Sequence, residues 1–433
     1  MLLQLLFLLI TIAAIAFFTM NARKIARNIN LGRPLDRSDR PGERLMVMLK
    51  VAFGQTKMVK RPIAAVLHLF VYVGFVIINL EVLEIIIDGL FGTHRIFASP
   101  LGGFYNVLIA SFEILAALVL IGVLAFLVRR NILRVRRFSG VEMTKWPVSD
   151  ANIILIAEVL LMSAFLTMNA ADYKLQLLGA AHYTPAGSFP VSSLIAPLLP
   201  DSEGALIALE RACWWFHIIG IFLFLNYLPY SKHFHIVLAF PNTWYSNLEP
   251  KGEFNNMAVV TNEVKAMLDP SFVPAPVEEG GRFGAKDITD LTWKSLMDAY
   301  TCTECGRCTS VCPANLTGKL LSPRKIMMDT RDRTTEVGQN IDKHGKGHVD
   351  DKSLLDTYIS REEIWACTTC NACTEACPVN IDPLAIIVEL RRYAVMEESQ
   401  APVSLNNMLG NVENNGAPWK YSPADRLNWA ENG

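Results

Sequence analysis

Apolar residues crowd the first 240 positions of the chain and thin out afterwards. Five stretches, at about 2–20, 62–88, 104–128, 151–170 and 206–231, are long enough to cross a bilayer, which takes roughly 20 residues at 1.5 Å each. Further on, a helical run leads into the first cysteines at 287–300, and apolar positions recur with a helical period over 383–398. The pattern predicts an all-α chain: a five-helix transmembrane bundle over 1–240, a linker over 241–286, an α-helical domain over 287–398 and a tail over 399–433. Residues 42–60 mix apolar and basic positions and are expected along the membrane interface. The Pro-rich acidic stretch from Asp269 breaks regular structure, and the polar run 330–351 reads as a surface excursion with solvated His344 and His348. In the tail, Trp419, Tyr421 and Trp429 fit either docking of a partner or a disordered extension.

Charge orients this plan. The first apolar stretch has no basic residue before it, and its basic cluster follows, at Arg23, Lys24 and Arg27. It therefore reads as an uncleaved helix with its N-terminus outside, rather than a signal peptide. Eleven Lys and Arg lie from Arg23 to Arg61 and six between the third and fourth stretches, including Arg129, Arg130, Arg134, Arg136 and Arg137. The other two loops carry Arg95 and Lys174. The positive-inside rule then places the basic loops and the cysteine-bearing part in the cytoplasm, on a multi-pass protein of the cytoplasmic membrane. Trp214 and Trp215, and Trp146 and Trp244, fit interfacial belts. A net charge of −1 gives no basic field for nucleic acid.

Eight of the nine cysteines fall in two runs of one spacing, Cys302-x2-Cys305-x2-Cys308-x3-Cys312-Pro313 and Cys367-x2-Cys370-x2-Cys373-x3-Cys377-Pro378. Each run is a [4Fe–4S] ligand signature, and in two-cluster ferredoxins the fourth cysteine serves the other cluster. Cluster one is thus assigned Cys302, Cys305, Cys308 and Cys377, and cluster two Cys367, Cys370, Cys373 and Cys312. Structural zinc uses two separated pairs per site, and disulfides need an oxidising compartment. The gap between the runs is long for a compact ferredoxin, so an all-α two-cluster ferredoxin fold is expected. Cys213, alone in the fifth stretch, reads as a small packed residue.

Histidines His68, His217, His233 and His235 lie in or beside the apolar stretches, where a polar ring is costly unless it binds something. Two imidazoles at one depth on different helices are what axial ligation of a b-type haem requires. Glu81, Glu84, Glu113 and Glu158 are also in the stretches; they suggest a proton path or quinone pocket, or side chains solvated near the interface.

The segment Pro229-Tyr230-Ser231-Lys232-His233-Phe234-His235, with His217 before it and Lys60, Arg61 and His68 early in the second stretch, resembles the respiratory nitrate reductase gamma subunit and the membrane subunits of heterodisulfide reductase. Eighteen residues are five turns, so His217 and His235 are expected to share one helix face about 27 Å apart. The resemblance implies haem b between His68 and His235. Ile78 stands where the nitrate reductase pattern has a further histidine, so a second haem at His217 would need another partner, such as His94 or His182. His233 is an interfacial residue or an alternative ligand.

The second cysteine run, within Glu363-Ile364-Trp365-Ala366-Cys367-Thr368-Thr369-Cys370 and leading to 383–397, resembles the heterodisulfide reductase C subunit and related quinone-linked iron–sulfur oxidoreductases. That resemblance implies a cytoplasmic partner, either one with cysteine-rich repeats or a flavoprotein. No Rossmann glycine fingerprint, P-loop or nucleophile motif occurs. The expected function is membrane electron transfer between a cytoplasmic partner and the quinone pool of a respiratory chain. The other readings are a membrane-tethered redox sensor or assembly subunit, and a haem-free anchor.

Overall fold

The computed structural model describes residues 1–274 and 282–431, so most of the Pro-rich acidic stretch, from 275 on, lies outside the described residues. Among the described residues the chain is helical, with isolated bridges but no strand. Five helices are long and apolar enough to cross a membrane: α1 (Leu2–Ile29), α2 (Pro62–Phe91), α3 (Gly103–Asn131), α4 (Lys145–Leu178) and α5 (Glu203–Tyr227). Helices α1 and α4 run well past the bounds hydropathy predicts because polar end turns continue them, whereas α5 stops short of 231.

Helix α4 packs along α3 and α5, α2 along α3, and α1 across α2 and α5. Phe7, Ile78, Ile109, Phe112, Phe165, Ile218 and Phe222 fill the centre. Small residues let backbones approach: a Cβ on Gly74 of α2 would stand 2.3 Å from Val119 Cγ2 of α3. The outside is an apolar coat of residues such as Leu6, Leu9, Phe75, Leu83 and Leu124, as expected where lipid is the solvent.

The helix face expected to carry both His217 and His235 is interrupted. Helix α5 ends at Tyr227, followed by two 3₁₀ turns, Leu228–Tyr230 and Lys232–Phe234, with Ser231 extended between them. Proline has no N–H and its ring crowds the preceding turn, so Pro229 ends the helix. Asp150 of α4 fixes the break: it accepts from Ser231 Oγ at 2.7 Å and from Tyr227 Oη at 2.5 Å. A new helix, α6 (His235–Trp244), starts at His235, so His217 and His235 do not share a helix face.

The cysteine domain is built from α7 (Trp293–Thr301), α8 (Pro323–His344), α9 (Arg361–Ala366) and α10 (Pro383–Met396). Its core joins Leu296, Ile326, Leu354, Ile364, Ile386 and Leu390 to four of the cysteines. Two expectations need correction. The lead-in helix begins at Trp293, not Asp287, because Ile288–Asp290 form a separate 3₁₀ turn and Thr292 caps α7 through the Ser295 N–H. Residues 330–344 are no surface excursion but the second half of α8. Their buried side is polar: Arg333, 3% exposed, pairs with Asp287 at 2.6 Å and Asp350 at 2.7 Å. Tail helix Val403–Asn415 buries no residue.

The domain sits on one end of the bundle. Asn28 of α1 donates to Tyr300 Oη at 3.0 Å, and Arg27 donates to the Gly338 carbonyl at 2.9 Å. Trp293 exchanges contacts with the loop after α1 through its N–H to Arg33 O and its Nε1 to Leu35 O. Arg324, 1% exposed, pairs with Glu142 of the α3–α4 loop at 2.7 Å. Both basic loops thus meet the cysteine domain at the same end.

Candidate functional site at the junction of the two domains

The two cysteine runs fold as a repeat. In each, a helix ends at the first cysteine, Cys302 after α7 and Cys367 after α9, with nearly equal backbone angles. The second residue after that cysteine, Glu304 or Thr369, and the fourth, Gly306 or Asn371, take left-handed conformations. A short helix then leads to the fourth cysteine, Cys312 or Cys377, and a proline follows. Each half closes on a capped helix that opens with proline: Ser322 before Pro323 and Asp382 before Pro383. The alternation of helix ends and left-handed residues curls each loop so that closely spaced thiols line a concave face.

The fourth cysteine of each run belongs spatially with the other run. Burial pushes the Cys308 thiol well above its usual value, and the neighbours that add to this are Cys305, Cys302 and Cys377, before Cys373. Cys377 is pushed up to about 12 by burial, with Cys305 adding. Burial also raises Cys367, with Cys312 and Cys370 adding. Among the described residues no three His, Cys, Asp or Glu side chains converge on one point as a mononuclear zinc site requires. The thiols that bear on one another are Cys302, Cys305, Cys308 and Cys377 on one side and Cys312, Cys367, Cys370 and Cys373 on the other, a donor chemistry that fits two clusters binding a cysteine at each iron. Backbone N–H groups point at the sulfurs, from Thr369 to Cys367 at 3.4 Å and from Ile381 to Cys377 at 3.3 Å. Cys302, Cys312, Cys373 and Cys377 are buried, whereas Cys370 is exposed.

Run one faces the membrane helices. Arg307 donates to the Lys57 carbonyl at 3.2 Å, Arg61 to Ser310 Oγ at 2.7 Å, and Glu304 is clasped by Lys232 and by Arg331. Lys232 belongs to the break after α5, beside the histidines. The ring of His233 lies 5.5 Å from that of His235 at 81°, and 5.4 Å from Phe224. Burial, with His235 and then His68 adding, pushes the His233 imidazole down to about 3, which keeps it neutral and places His68 in the same group.

Three histidines have their Nδ1 held by an oxygen: His68 by Gln55 Oε1 at 3.0 Å, His235 by the Lys232 carbonyl at 3.1 Å and His217 by the Leu161 carbonyl at 3.0 Å. Such a partner fixes the tautomer with Nε2 free, as in metal-ligating histidines, and among the described residues Nε2 takes no hydrogen bond in any of the three. His68 and His235 fit a haem iron by this donor chemistry. His217 stands apart in the middle of α5, its ring 5.7 Å from Phe165 and beside no other histidine among the described residues.

The carboxylates divide. Glu84 accepts from the Phe97 N–H at 2.9 Å and Tyr105 Oη at 2.8 Å, and Glu113 from the Val191 and Ser192 N–H groups at 2.9 and 3.0 Å. Both pin loops at the end of the bundle away from the cysteines. Glu81 borders a cavity of about 380 Å³ there, with Oε2 unpartnered. The roles of Glu81, Glu84 and Glu113 carry no sequence signal beyond a polar residue in an apolar helix.

Residues 301–381 match the family model of a 4Fe–4S dicluster domain. The probable iron–sulfur-binding oxidoreductase FadF of Bacillus subtilis is 30% identical over 459 aligned residues, covering 99% of this chain and 60% of that protein. The EtfAB:quinone oxidoreductase of Syntrophomonas wolfei is 28% identical, covering 92% of this chain and 55% of its own length. The ferredoxin/F(420)H(2)-dependent CoB-CoM heterodisulfide reductase of Methanosarcina acetivorans has a C-type component that is 34% identical over 119 residues, 27% of this chain and 60% of that component. The chain thus spans between half and two thirds of the length of these curated relatives, and no solved structure matches it. It joins five apolar helices to a 4Fe–4S dicluster domain, and is similar over nearly its whole length to an iron–sulfur-binding oxidoreductase and over 119 residues to a heterodisulfide reductase C-type component.

Proposed function

We propose that the chain is the membrane electron-transfer subunit of a quinone-linked oxidoreductase, conveying electrons between a cytoplasmic redox partner and the quinone pool. The observation that carries this reading is the seating of the first cysteine run on the break that bears His233 and His235, with Lys232 bound to Glu304 between them. Cys302, Cys305, Cys308 and Cys377 would hold cluster one, Cys367, Cys370, Cys373 and Cys312 cluster two, and His68 and His235 haem b. Such clusters and haem supply one-electron transfer. The chain's own residues exclude water from the thiols, orient the imidazoles through Gln55 and Lys232, and keep the two groups adjacent. His233, neutral, edge-on to His235 and tilted against Phe224, shields that face. The exposed Cys370 marks the side where a partner exchanges electrons. A flavoprotein partner is supported by the relative named for EtfAB and quinone. The basic loops, which all meet the cysteine domain, support its cytoplasmic placement.

The test is a dithionite-reduced minus oxidised spectrum of the purified chain, with haem and iron counted. One haem per chain, lost in His68→Ala and in His235→Ala but kept in His217→Ala and His233→Ala, is expected with about eight irons, as two four-iron clusters require. Eight irons without haem would leave a membrane-tethered ferredoxin. A haem that neither reduces nor oxidises with added quinone would favour a sensor.

A further inference from the structure

Four cations gather where the first cysteine run meets the membrane domain. Arg307, between Cys305 and Cys308 in the chain, is 5% exposed and bonded to the Lys57 carbonyl. Lys57 reaches on to the carbonyl of Thr374, close before Cys377, at 3.4 Å. Arg61 holds Ser310, between Cys308 and Cys312. Arg137 lies against Gly306: its carbonyl is 2.6 Å from where a Cβ there would stand, and its Nε is buried without a partner. The carboxylates nearby are already committed, Glu304 to Lys232 and Arg331, Glu375 to Lys60 and Lys251, Glu142 to Arg324. Among the described residues no carboxylate pairs with Lys57, Arg61, Arg137 or Arg307, taking 4.0 Å as the limit. Burial, with Arg61 adding and Cys305 opposing, pushes the Arg137 guanidinium down to about 10.

Arg307 is buried and Lys57, Arg61 and Arg137 are half-buried; charge withdrawn from water without a counter-charge is unfavourable, so this arrangement favours an anion. An iron–sulfur cluster held by four thiolates is one, and it becomes more negative when reduced. The surroundings of the second run differ. One cation without a carboxylate partner among the described residues, Arg391, bears on Cys367 there, against four around the first run; it donates to the Ile364 carbonyl at 2.9 Å and to the Cys367 carbonyl. Asp382 sets a carboxylate beside Thr374, accepting from its Oγ1 at 3.1 Å, and bears on Cys373. Cys370 opens that side to water, which screens charge.

We propose that Arg137 and Arg307 hold cluster one at a higher reduction potential than cluster two, making the membrane-facing cluster the preferred seat of an electron that enters at the exposed one. This rests on the two-cluster reading given above and adds an order to it. Hydrogen bonds, charge and solvent exposure are the levers by which a protein sets such potentials.

The experiment is a potentiometric titration of the full chain in detergent, followed by electron paramagnetic resonance, with Cys370→Ser marking the signal of cluster two. Two midpoints are expected, cluster one the higher. Arg307→Gln and Arg137→Gln should each lower only that midpoint, by about 59 mV, equivalent to a tenfold change in the reduced-to-oxidised ratio of a one-electron couple. Arg307→Lys should restore it, and Asp382→Asn should raise only the lower one. Unmoved midpoints in both glutamine variants, or haem loss with cluster midpoints unchanged, would overturn the proposal; the second result would assign the arginines to haem carboxylates. If Arg307→Gln fails to retain iron, Arg137→Gln, outside the cysteine loops, decides. A wild-type chain without two four-iron clusters would instead refute the function proposed above, and iron content tells the two failures apart.

Discussion

Gly306 and Asn371 hold the same place in the two cysteine loops, both left-handed at φ 69° and φ 58°, and Gly306 lies against the Arg137 carbonyl of the α3–α4 loop. A Cβ on Gly306 would meet the Arg137 carbonyl at 2.6 Å. Asparagine tolerates this conformation better than most residues. The choice of glycine in the first loop is therefore set by contact, not by backbone angle alone.

That separation predicts different outcomes for reciprocal changes. Gly306→Asn keeps an acceptable residue for the backbone but drives a side chain into the Arg137 carbonyl, and should destabilise the junction by about 1–3 kcal/mol. Asn371→Gly should cost less than about 1 kcal/mol, chiefly through chain entropy. Thermal unfolding of the detergent-solubilised chain, with limited proteolysis of the linker, compares them. Equal effects would mean that the first loop is not pressed against the helices.

Gln55 offers a second prediction. Its Oε1 accepts from His68 Nδ1–H at 3.0 Å, and residues that orient a ligating histidine typically matter 10–100-fold in affinity. Gln55→Ala should weaken haem retention about tenfold during dilution or gel filtration while iron content stays at the wild-type level. Gln55→Glu, which keeps an acceptor, should retain haem. Unchanged retention in Gln55→Ala would remove His68 from the ligand set.

The apolar spans and the cysteine spacing were legible because each is a local pattern: run length in one case, fixed intervals in the other. The break after α5 was not, since Pro229 lies in an apolar segment and the decisive partner, Asp150, comes from another helix. The second half of α8 was hidden for the opposite reason. Its buried face includes Thr330 and Thr334, which donate back to carbonyls of their own helix, and Arg333, whose partners Asp287 and Asp350 come from outside it, so hydropathy reads it as surface. Among the histidines, sequence brought out His68 and His235, but not the oxygens that fix their tautomers: Gln55 lies in the loop before α2, and the oxygen of Lys232 is a backbone carbonyl.

Removing the iron should loosen the cysteine domain selectively. Cys302, Cys312, Cys373 and Cys377 are part of its core, and burial pushes the thiols of Cys302, Cys373 and Cys377 up to about 12. Without metal these thiols are neutral at pH 7, so loading must release their protons. Chelation with oxidant is expected to expose the linker and the cysteine domain to protease while the five apolar helices keep their helical signal. Reconstitution should acidify an unbuffered solution and slow as pH falls from 8 to 6. A domain equally protected with and without iron would show that helix packing alone holds it.

Asp329 sets a pH dependence at the joint between α8 and α9. Lys325 lies between two carboxylates, 2.6 Å from Asp329 and 2.9 Å from Glu363. Burial, against the pull of Lys325 and with Glu363 adding, raises the Asp329 carboxyl from 3.8 to about 6. A raised value means that the folded chain binds this proton more tightly than the unfolded one. Its contribution to stability is full below pH 3.8 and is lost as pH rises through about 6. Asp329→Asn removes the ionisation, so the variant should gain on the wild type as pH rises, by about 1–3 kcal/mol between pH 4.5 and 7. Unfolding temperatures of the two proteins at both values give the comparison. A variant that gains nothing at pH 7 relative to pH 4.5 would mean that Asp329 titrates as an ordinary surface carboxylate, with Lys325 satisfying both partners at neutral pH.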